Sequence, residues 1–246
     1  MDKSLFLAMS GAAQNMRATA INANNLANIS TTGFRSDFAQ ARAMPVFGDT
    51  HPSRVYAMTE SPGTNMQQGG MQETGRDLDV AISGKGWIAV QALDGSEAYT
   101  RAGDLQIDAN GMLRTGSGLP VIGDGGPIAL PPSQTVTIGL DGTITVRPEG
   151  AASTALANVD RIKLVNPDAK DLQKGNDGLM RLKNSEPAVA DAGVRLEAGF
   201  LEGSNVNAVM ALTDLISLSR QFELQIKMMG NVKENSEVSA RLLQIS

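Results

Sequence analysis

The side chains that most often carry out catalysis or bind metals are scarce in this sequence. His51 is the single histidine and cysteine is absent, so the chain offers neither a histidine–cysteine metal site nor a thiol nucleophile. Asp104, Asp108 and Asn110 lie close together, but they lack the spacing and the closing glutamate of a calcium loop. We interpret His51 as a solvated loop residue and the acidic residues as turn formers. We predict no catalytic residue, no metal, no cofactor and no enzymatic activity.

Two glycine-rich segments, residues 84–86 and 123–126, invite comparison with phosphate-binding loops. Neither is followed by a helical pattern, whereas such loops present the phosphate to the N-terminus of a helix. We interpret both segments as turns between strands, and we predict no small-molecule substrate. The net charge of −5 argues against nucleic acid as a partner, because nucleic acid selects basic surfaces.

The chemistry that the sequence does concentrate is hydrogen bonding by carboxamides. Asn22, Asn24, Asn25 and Asn28 fall within the last two turns of a predicted N-terminal helix. Asparagine is unfavourable inside helices, so helix stability does not account for these residues. Polar side chains at a packed interface can fix register and partner choice. We predict that role for Asn24, Asn25 and Asn28.

The helix that positions these amides carries an apolar seam with steps of three and four residues. Its small side chains suit the close approach of another helix, while the alternative is an ordinary helix that covers its own core. We expect the helix to end near Ser30, with Gly33 supplying the positive φ of a C-terminal stop. The seam comprises Leu5, Met9, Ala12, Met16, Ala23 and Leu26, beside a series at sevenfold spacing formed by Phe6, Ala13, Ala20 and Ala27.

A second helical pattern follows Asn207, a predicted N-cap, and continues to Ile245. At 1.5 Å per residue this helix would be about 57 Å long, too long to lie on a small domain, so we predict that it pairs with the N-terminal helix as a coiled-coil-like segment. Because both seams bury little apolar area, we expect this segment to be disordered in the free monomer. The C-terminal seam comprises Leu212, Leu215, Phe222, Ile226, Met229, Ala240 and Leu243.

The middle of the chain has the pattern of an antiparallel β domain. Residues 71–202 alternate short apolar runs with glycine turns, and Asp-Gly or Asn-Gly pairs between such runs predict hairpins. We predict α+β as the fold class, with an irregular antiparallel β domain in the middle of the chain and a helix at each end. The segments are a helix over 1–34, an extended connector with one short strand over 35–70, the β domain over 71–202, and a helix over 203–246 that pairs with 1–34. The predicted β strands cover residues 78–82, 87–91, 105–107, 112–113, 121–122, 128–130, 135–138, 143–146, 161–165, 179–182 and 194–200.

Several of these segments resemble the bacterial flagellar axial proteins, which build the rod and the hook. The N-terminal match is ANNLAN at residues 23–28 followed by STTGFR at 30–35, and the C-terminal match is LEGSNVN at 201–207 with RQFE at 220–223. The middle matches are LDVAI at 78–82, GKGW at 84–87 and AYTRAG at 98–103. Together they span nearly the whole chain. The tryptophan at position 87 resembles the proximal-rod members of the family, whereas hook and distal-rod members tend to carry phenylalanine at this position.

The resemblance implies a structural subunit of the proximal rod, whose terminal helices assemble helically into the drive shaft that carries torque across the periplasm. Implied partners are copies of itself, other rod proteins and the flagellar type III export apparatus. No apolar run is long enough to cross a membrane, and the N-terminal run is too short for a cleaved signal peptide. The alternatives are a distal-rod protein or, in a different class, a secreted adhesin or binding module with a helical stalk. The predicted subunit-interface residues are Leu5, Met9, Met16, Asn24, Asn25, Leu26, Asn28, Leu212, Leu215, Phe222, Ile226 and Met229.

Overall fold

The structure, a computed structural model, describes residues 2–45, 55–60, 63–148 and 156–245. It confirms the α+β class, with a helix near each end of the chain and antiparallel strands between them. The helices are α1 (Asp2–Ala27) and α2 (Ala208–Ile245). His51 lies outside the described residues. The strands are β1 (Gln40–Pro45), β2 (Val55–Glu60), β3 (Met71–Glu73), β4 (Val80–Ser83), β5 (Trp87–Gln91), β6 (Glu97–Thr100), β7 (Leu105–Ile107), β8 (Leu113–Thr115), β9 (Ile122–Gly123), β10 (Gly126–Pro127), β11 (Ser133–Ile138), β12 (Thr143–Pro148), β13 (Ala157–Arg161), β14 (Leu164–Val165), β15 (Leu172–Lys174), β16 (Met180–Leu182), β17 (Arg195–Ala198) and β18 (Phe200–Glu202).

The chain folds as two compact units, each built from segments that are distant in sequence. Unit 1 comprises Met1–Asn28, Asp37–Thr64 and Val206–Ser246, and unit 2 comprises Ile29–Ser36 and Asn65–Asn205. Unit 1 therefore holds α1, α2 and the strands β1 and β2, while unit 2 holds β3 to β18. Both helices belong to the same unit although the β region separates them along the chain.

In unit 1, α1 packs against α2 with the two helices running in opposite directions. Near the end of α1, the Asn22 Nδ2 donates a hydrogen bond of 2.7 Å to the carbonyl oxygen of Ala211, near the start of α2. Further back along α1, Gly11 lies against Gln225, whose Cδ would be 3.0 Å from a Cβ placed on the glycine. Because the position on α2 advances as the position on α1 retreats, the pair is antiparallel.

The face of α1 that packs is offset by one residue from much of the predicted seam. The predicted seam combined members of two stripes that both follow steps of three and four, and periodicity alone cannot separate them. The predicted seam omits the polar residues Asn15 and Asn22, yet both face the packed side. The inner stripe, buried or half-buried, comprises Leu5, Ala8, Ala12, Asn15, Thr19, Asn22 and Leu26, whereas the outer stripe, exposed, comprises Phe6, Met9, Ala13, Met16, Ala20, Ala23 and Ala27.

Helix α2 begins and continues as predicted, but its packed face is also partly different. The Asn207 Oδ1 accepts hydrogen bonds from the backbone amides of Val209 and Met210 at 3.0 and 3.1 Å, which confirms Asn207 as the N-cap. Leu212 and Ile226 of the predicted seam are exposed. The covered face, which repeats at steps of four and three, comprises Ala211, Leu215, Leu218, Phe222, Gln225, Met229, Val232, Ser236 and Ser239.

Residues between the first helix and unit 2 form a hairpin where the sequence predicted an extended connector with one strand. β1 pairs with β2 in antiparallel register from Gln40 opposite Glu60 to Pro45 opposite Val55. At the base of the hairpin, the Phe38 amide donates to the carbonyl oxygen of Gly63 at 3.1 Å. The prediction of an extended connector with one strand was therefore incomplete. The prolines in this segment exclude a helix, but they do not exclude a strand at the edge of a sheet.

Unit 2 is an irregular antiparallel β structure, as predicted. It contains a five-stranded sheet in the order β14-β5-β6-β16-β15, a three-stranded sheet in the order β11-β12-β13, and several two-stranded pairs. Its main core is aliphatic, with Ile88, Leu105, Leu113, Ile128 and Ile144 fully buried. The low aromatic content of the chain accounts for a core built almost entirely of aliphatic side chains.

Most predicted strands lie within a residue or two of observed ones, and the errors concern short or polar segments. Residues 128–130 form only an isolated bridge, from Ala129 to Met112, and residues 161–165 contain the break between β13 and β14. The prediction missed β1, β3, β6, β10 and β15, and it overlaps β13 and β18 by one residue each. These strands are polar, short or both, so alternation of apolar residues gave no signal for them.

A second, smaller core cluster contains Tyr99 on β6. The Tyr99 hydroxyl donates to the Glu97 Oε1 at 2.9 Å and accepts from the Ala188 amide at 2.7 Å. Lys163 pairs with the same carboxylate, its Nζ 2.8 Å from the Glu97 Oε2. Burial, supported by the Glu97 charge, raises the pKa of Tyr99 to about 12. The hydroxyl therefore stays protonated at neutral pH, and together with the Glu97–Lys163 ion pair it links three segments of unit 2.

Candidate assembly interface

Three of the sequence segments that resembled the axial proteins meet inside unit 2. Arg35 comes from the loop after α1, Arg101 follows β6, and Glu202 ends β18 just before α2. The Arg35 Nη1 lies 2.6 Å from the Glu202 Oε1, and the Arg101 Nη1 lies 2.8 Å from the Glu202 Oε2. All three side chains are at most 4% exposed. With Trp87 they form what we call the arginine cluster.

The arginine cluster holds two positive charges and one negative charge in a buried place. Glu202 is well satisfied, since its Oε1 also accepts from the Gly69 amide at 3.0 Å. Arg101 donates a further bond to the Gly84 carbonyl oxygen at 2.7 Å. By contrast, the Nε and Nη2 of Arg35 have no hydrogen-bond partner among the described residues. Among the described residues, Glu202 is therefore the single carboxylate that neutralises charge for both arginines.

Trp87 provides the remaining favourable contact for the two guanidinium groups. The Arg35 and Arg101 Cζ atoms lie 5.7 and 5.4 Å from the centroid of the Trp87 ring, within the range of cation–π attraction. Burial lowers the pKa of Arg101, while the Glu202 charge raises it. The indole thus partly replaces the solvent that burial removes from the arginines.

Gly33 has the predicted positive φ, but for a different reason from the one predicted. Helix α1 ends at Ala27, several residues before Gly33. At Gly33 φ is 67°, and a Cβ there would lie 2.3 Å from the Arg101 carbonyl carbon. The Gly33 amide also donates to the Glu202 carbonyl oxygen at 2.7 Å. Glycine is needed because the backbones approach closely beside the arginine cluster.

Asn205 links three segments of the backbone next to the arginine cluster. Its Oδ1 accepts from the Ser36 amide at 2.8 Å, and its Nδ2 donates to the carbonyl oxygens of Asn65 and Gln67, both at 2.9 Å. One side chain thus fixes the chain that follows α1, the chain that follows the hairpin, and the chain that leads to α2. The sequence marked this residue only as part of a motif, because its partners are distant in sequence.

Unit 1 presents a different kind of candidate site, an exposed apolar face on α1. Phe6, Met9 and Met16 of the outer stripe are 57%, 49% and 62% exposed, and the other members of the stripe are alanines. Arg17 is the only charged residue between positions 4 and 28. Seven-residue periodicity on an uncharged face is typical of a surface that packs against another helix.

Comparison with known proteins identifies the family. The profile described as flagella basal body rod protein matches residues 5–35, the flagellar hook protein FlgE/F/G D1 domain matches residues 81–146, and the flagellar basal body rod FlgEFG protein C-terminal region matches residues 197–242. The flagellar basal-body rod proteins FlgF of Escherichia coli and Salmonella typhimurium are 43% and 42% identical over the whole of both chains. This chain belongs to the FlgF family of flagellar rod proteins. It is a structural protein and not an enzyme.

The FlgG rod protein of Agrobacterium fabrum is also similar, at 31% identity over 98% of this chain and the whole of that protein. The lower identity favours FlgF over FlgG. The two terminal profiles each include one helix and one member of the arginine cluster. The first runs from α1 to Arg35, and the last contains Glu202 and most of α2.

The residues predicted for the subunit interface of this FlgF-family protein fall into two groups. Some are covered or partly covered within the single chain. Others are exposed and free to meet another subunit. The covered group comprises Leu5, Asn25, Leu26, Asn28, Leu215, Phe222 and Met229, and the exposed group comprises Met9, Met16, Asn24, Leu212 and Ile226.

Asn25 is used fully within unit 1. Its Nδ2 donates to the Asp37 carbonyl oxygen at 2.9 Å, and its Oδ1 accepts from the Asp37 amide at 3.0 Å. Asp37 in turn accepts at its Oδ1 from the Thr64 hydroxyl at 3.0 Å. The buried carboxamide therefore holds the base of the β1–β2 hairpin against the last turn of α1, which the sequence did not indicate.

Replacing Asn25 with alanine should release Asp37 and leave unit 2 unchanged. The substitution removes both hydrogen bonds to the Asp37 backbone, and each such bond contributes about 0.5–1.5 kcal/mol. We expect the Asp37 amide to exchange with solvent at least tenfold faster, measured by NMR or mass spectrometry. Asn24→Ala is the matched control, because the Asn24 side chain is exposed. Equal exchange at Asp37 in both variants would show that Asn25 does not hold the hairpin.

The described residues contain nothing that suggests another type of site. None of their helices is long and apolar enough to cross a membrane. Within the same part of the chain, no group of three or more acidic or histidine side chains is arranged to hold a metal ion. The features that point to function are therefore the outer stripe on α1 and the arginine cluster.

Proposed function

We propose that this chain is a subunit of the proximal part of the flagellar rod, and that it assembles through α1 and α2 into the shaft that transmits torque across the periplasm. Its partners are copies of itself and other rod proteins. We also propose that it reaches the rod through the flagellar type III export apparatus without a cleaved signal peptide. The observation that carries the proposal is the exposed, uncharged outer stripe, on a helix that belongs to a rod-protein profile.

The argument from the outer stripe is energetic. Burying apolar surface contributes about 25 cal/mol for each Å² removed from water, and α1 leaves a phenylalanine and two methionines largely in solvent. Isolated exposed apolar residues are common, but a continuous heptad-spaced row along one helix is not. A polymer in which neighbouring helices cover this row accounts for it.

The pairing of α1 with α2 is the proposed building block of the assembly. Its inner stripe is formed mainly by small or polar side chains, including Ala8, Ala12 and Asn15. Such a stripe lets the helices approach closely but buries little apolar area, so we propose that the coiled-coil-like segment becomes fully ordered only in the rod. We propose that the predicted interface residues, both covered and exposed, stabilise this coiled-coil-like segment in the rod.

The test is the composition of basal bodies from a strain that lacks this gene. We expect cells without filaments, and rods that stop before their distal segment, because later subunits have no base on which to assemble. Isolated basal bodies are examined by electron microscopy and mass spectrometry, and a plasmid copy of the gene should restore them. Complete rods and hooks in the deletion strain would contradict the proposed function.

A further inference from the structure

The α1–α2 pair has two sides with different apolar surfaces. In an antiparallel pair, residues one position after the packed face of each helix lie on the same side of the pair, since each step turns about 100° about its own axis. The outer stripe therefore shares one side with Val209, Leu212 and Ile216 of α2. Positions one before the packed face of α2 lie on the opposite side. This opposite side, which we call the α2 flank, includes Met210, Asp214, Ser217, Gln221, Leu224 and Met228, all exposed.

The outer stripe and the α2 flank are complementary in size. The outer stripe has large side chains near its start, such as Phe6, and alanines at its end, including Ala20 and Ala23. The α2 flank has the same heptad spacing and presents Met210 near its own start. When one stripe is laid antiparallel on the other, Met210 lies over the alanines, so a large side chain fills the space that small ones leave.

The two surfaces are also complementary in charge. Arg17 borders the outer stripe and is the only charged residue between positions 4 and 28 of this chain. Asp214 lies on the α2 flank and is the only charged residue between positions 208 and 219. Both are exposed, and neither forms an ion pair with another described residue. The two surfaces thus carry charges of opposite sign, Arg17 beside the outer stripe and Asp214 on the first turns of the α2 flank.

We propose that the outer stripe of one copy receives the α2 flank of a second copy, with Arg17 of the first pairing with Asp214 of the second. The inference rests on the proposed function and names the partner surface. Copies stacked along one shaft keep the same polarity, so α2 of the neighbour runs antiparallel to α1, as the size match requires. The outer stripe and the α2 flank differ and lie on opposite sides of the helix pair. After one contact forms, the first copy still has a free α2 flank and the second a free outer stripe. Further copies can therefore add at both ends, which gives an open assembly and not a closed ring.

The register follows from the charge pair. With Arg17 beside Asp214 in an antiparallel contact, Met210 lies between Ala20 and Ala23, and Leu224 lies beside Phe6. The contact then spans about 25 Å of α1, from Phe6 beside Leu224 to Ala23 beside Met210, at 1.5 Å per residue. Between these apolar ends, Met9 and Met16 lie opposite Gln221 and Ser217. An ion pair at the edge of such a contact contributes modestly to affinity, but like charges there oppose binding and disfavour a wrong register.

Charge reversal tests the proposed contact. Arg17→Glu and Asp214→Arg are each introduced into the deletion strain, alone and together. Each single reversal should reduce the number of complete basal bodies per cell by about fivefold, the factor that corresponds to 1 kcal/mol, and the double reversal should restore it. Thermal unfolding of the purified variants should match the unaltered protein, because both positions are exposed. If the singles have no effect, or if the double variant is no better than the worse single, the contact is wrong.

A cross-link provides an independent measurement. The chain contains no cysteine, so introduced thiols are the only ones. Cells expressing Met16→Cys and Ser217→Cys on separate copies should yield a disulfide-linked dimer in oxidised basal bodies, whereas Leu93→Cys in place of Met16→Cys should yield none. Complete basal bodies without the dimer would overturn this inference and leave the proposed function intact. Complete rods in the deletion strain would instead reject the proposed function itself.

Discussion

Replacing Glu202 with glutamine should lower the free energy of unfolding of unit 2 by about 3–5 kcal/mol, the usual cost of removing one partner from a buried ion pair. Glutamine keeps the shape of the side chain and one acceptor oxygen, so the loss is mainly electrostatic. In the variant Arg35 and Arg101 remain buried on either side of a neutral amide, and Arg35 already has two nitrogens without a hydrogen-bond partner among the described residues. No second carboxylate belongs to the arginine cluster.

The measurement is urea denaturation followed by fluorescence. Trp87 is the only tryptophan and lies against both guanidinium groups, so its emission reports the loss of the arginine cluster directly. We expect a lower midpoint with an unchanged slope, which indicates lost stability without a change in the surface exposed on unfolding. Glu197→Gln on β17 is the matched control, since Glu197 is only partly buried and forms no ion pair with another described residue.

The excess of positive charge in the arginine cluster predicts which variants lose more free energy of unfolding. Arg35→Met leaves one arginine with one carboxylate, so it should cost less than Glu202→Gln. Adding Arg35→Met to Glu202→Gln removes one of the two uncompensated charges and should recover part of the lost stability, a coupling that a double-mutant cycle measures. If Glu202→Gln costs less than about 1 kcal/mol, or if the two losses simply add, then the carboxylate does not neutralise both arginines.

The arginine cluster illustrates what the sequence could not predict. Residues 30–35, 98–103 and 201–207 form separate motifs in the sequence, but nothing in their local pattern indicates that Arg35, Arg101 and Glu202 meet. Each of the three is an ordinary charged residue near a turn, where solvent exposure is the usual expectation. Only the tertiary fold shows that they share one buried place, because their contacts join residues far apart in the chain.

Local chemistry, by contrast, was sufficient for much of the fold. The capping side chain of Asn207 and the turns at Asp94-Gly95 and Asp141-Gly142 define their elements through neighbouring residues, and the structure contains each of them. The phase of the α1 seam was wrong for a related reason. Apolar side chains were assigned to the packed face, whereas Asn22 is buried there because a backbone carbonyl oxygen on α2 accepts its hydrogen bond. The sequence does not reveal that acceptor.

Introducing lysine at both Met9 and Met16 should abolish rod assembly while leaving the monomer folded. Both side chains lie on the outer stripe and are largely exposed, and lysine is a good helix former, so the substitutions cost α1 little in the free chain. In an assembly they place two charges where a neighbouring helix must pack. Burial of an unpaired charge is unfavourable by several kcal/mol, and every subunit contact in the rod repeats that cost. We expect non-motile cells without complete rods.

Lysine substitutions one position earlier in the sequence should disturb the monomer and not only its assembly. Comparing the two pairs of variants therefore tests which face of α1 is packed within the chain. Ala8→Lys with Asn15→Lys places the charges on the inner stripe, against α2, and should reduce the helical circular dichroism of the monomer itself. Leu93→Lys with Val189→Lys serves as the surface control, because these apolar residues of unit 2 are 96% and 88% exposed and should tolerate charge without loss of swimming. If Met9→Lys with Met16→Lys swims normally, the outer stripe faces solvent in the rod. If it unfolds the monomer, the stripe is part of the internal packing of unit 1. Only a folded monomer that fails to assemble fits a face reserved for another subunit.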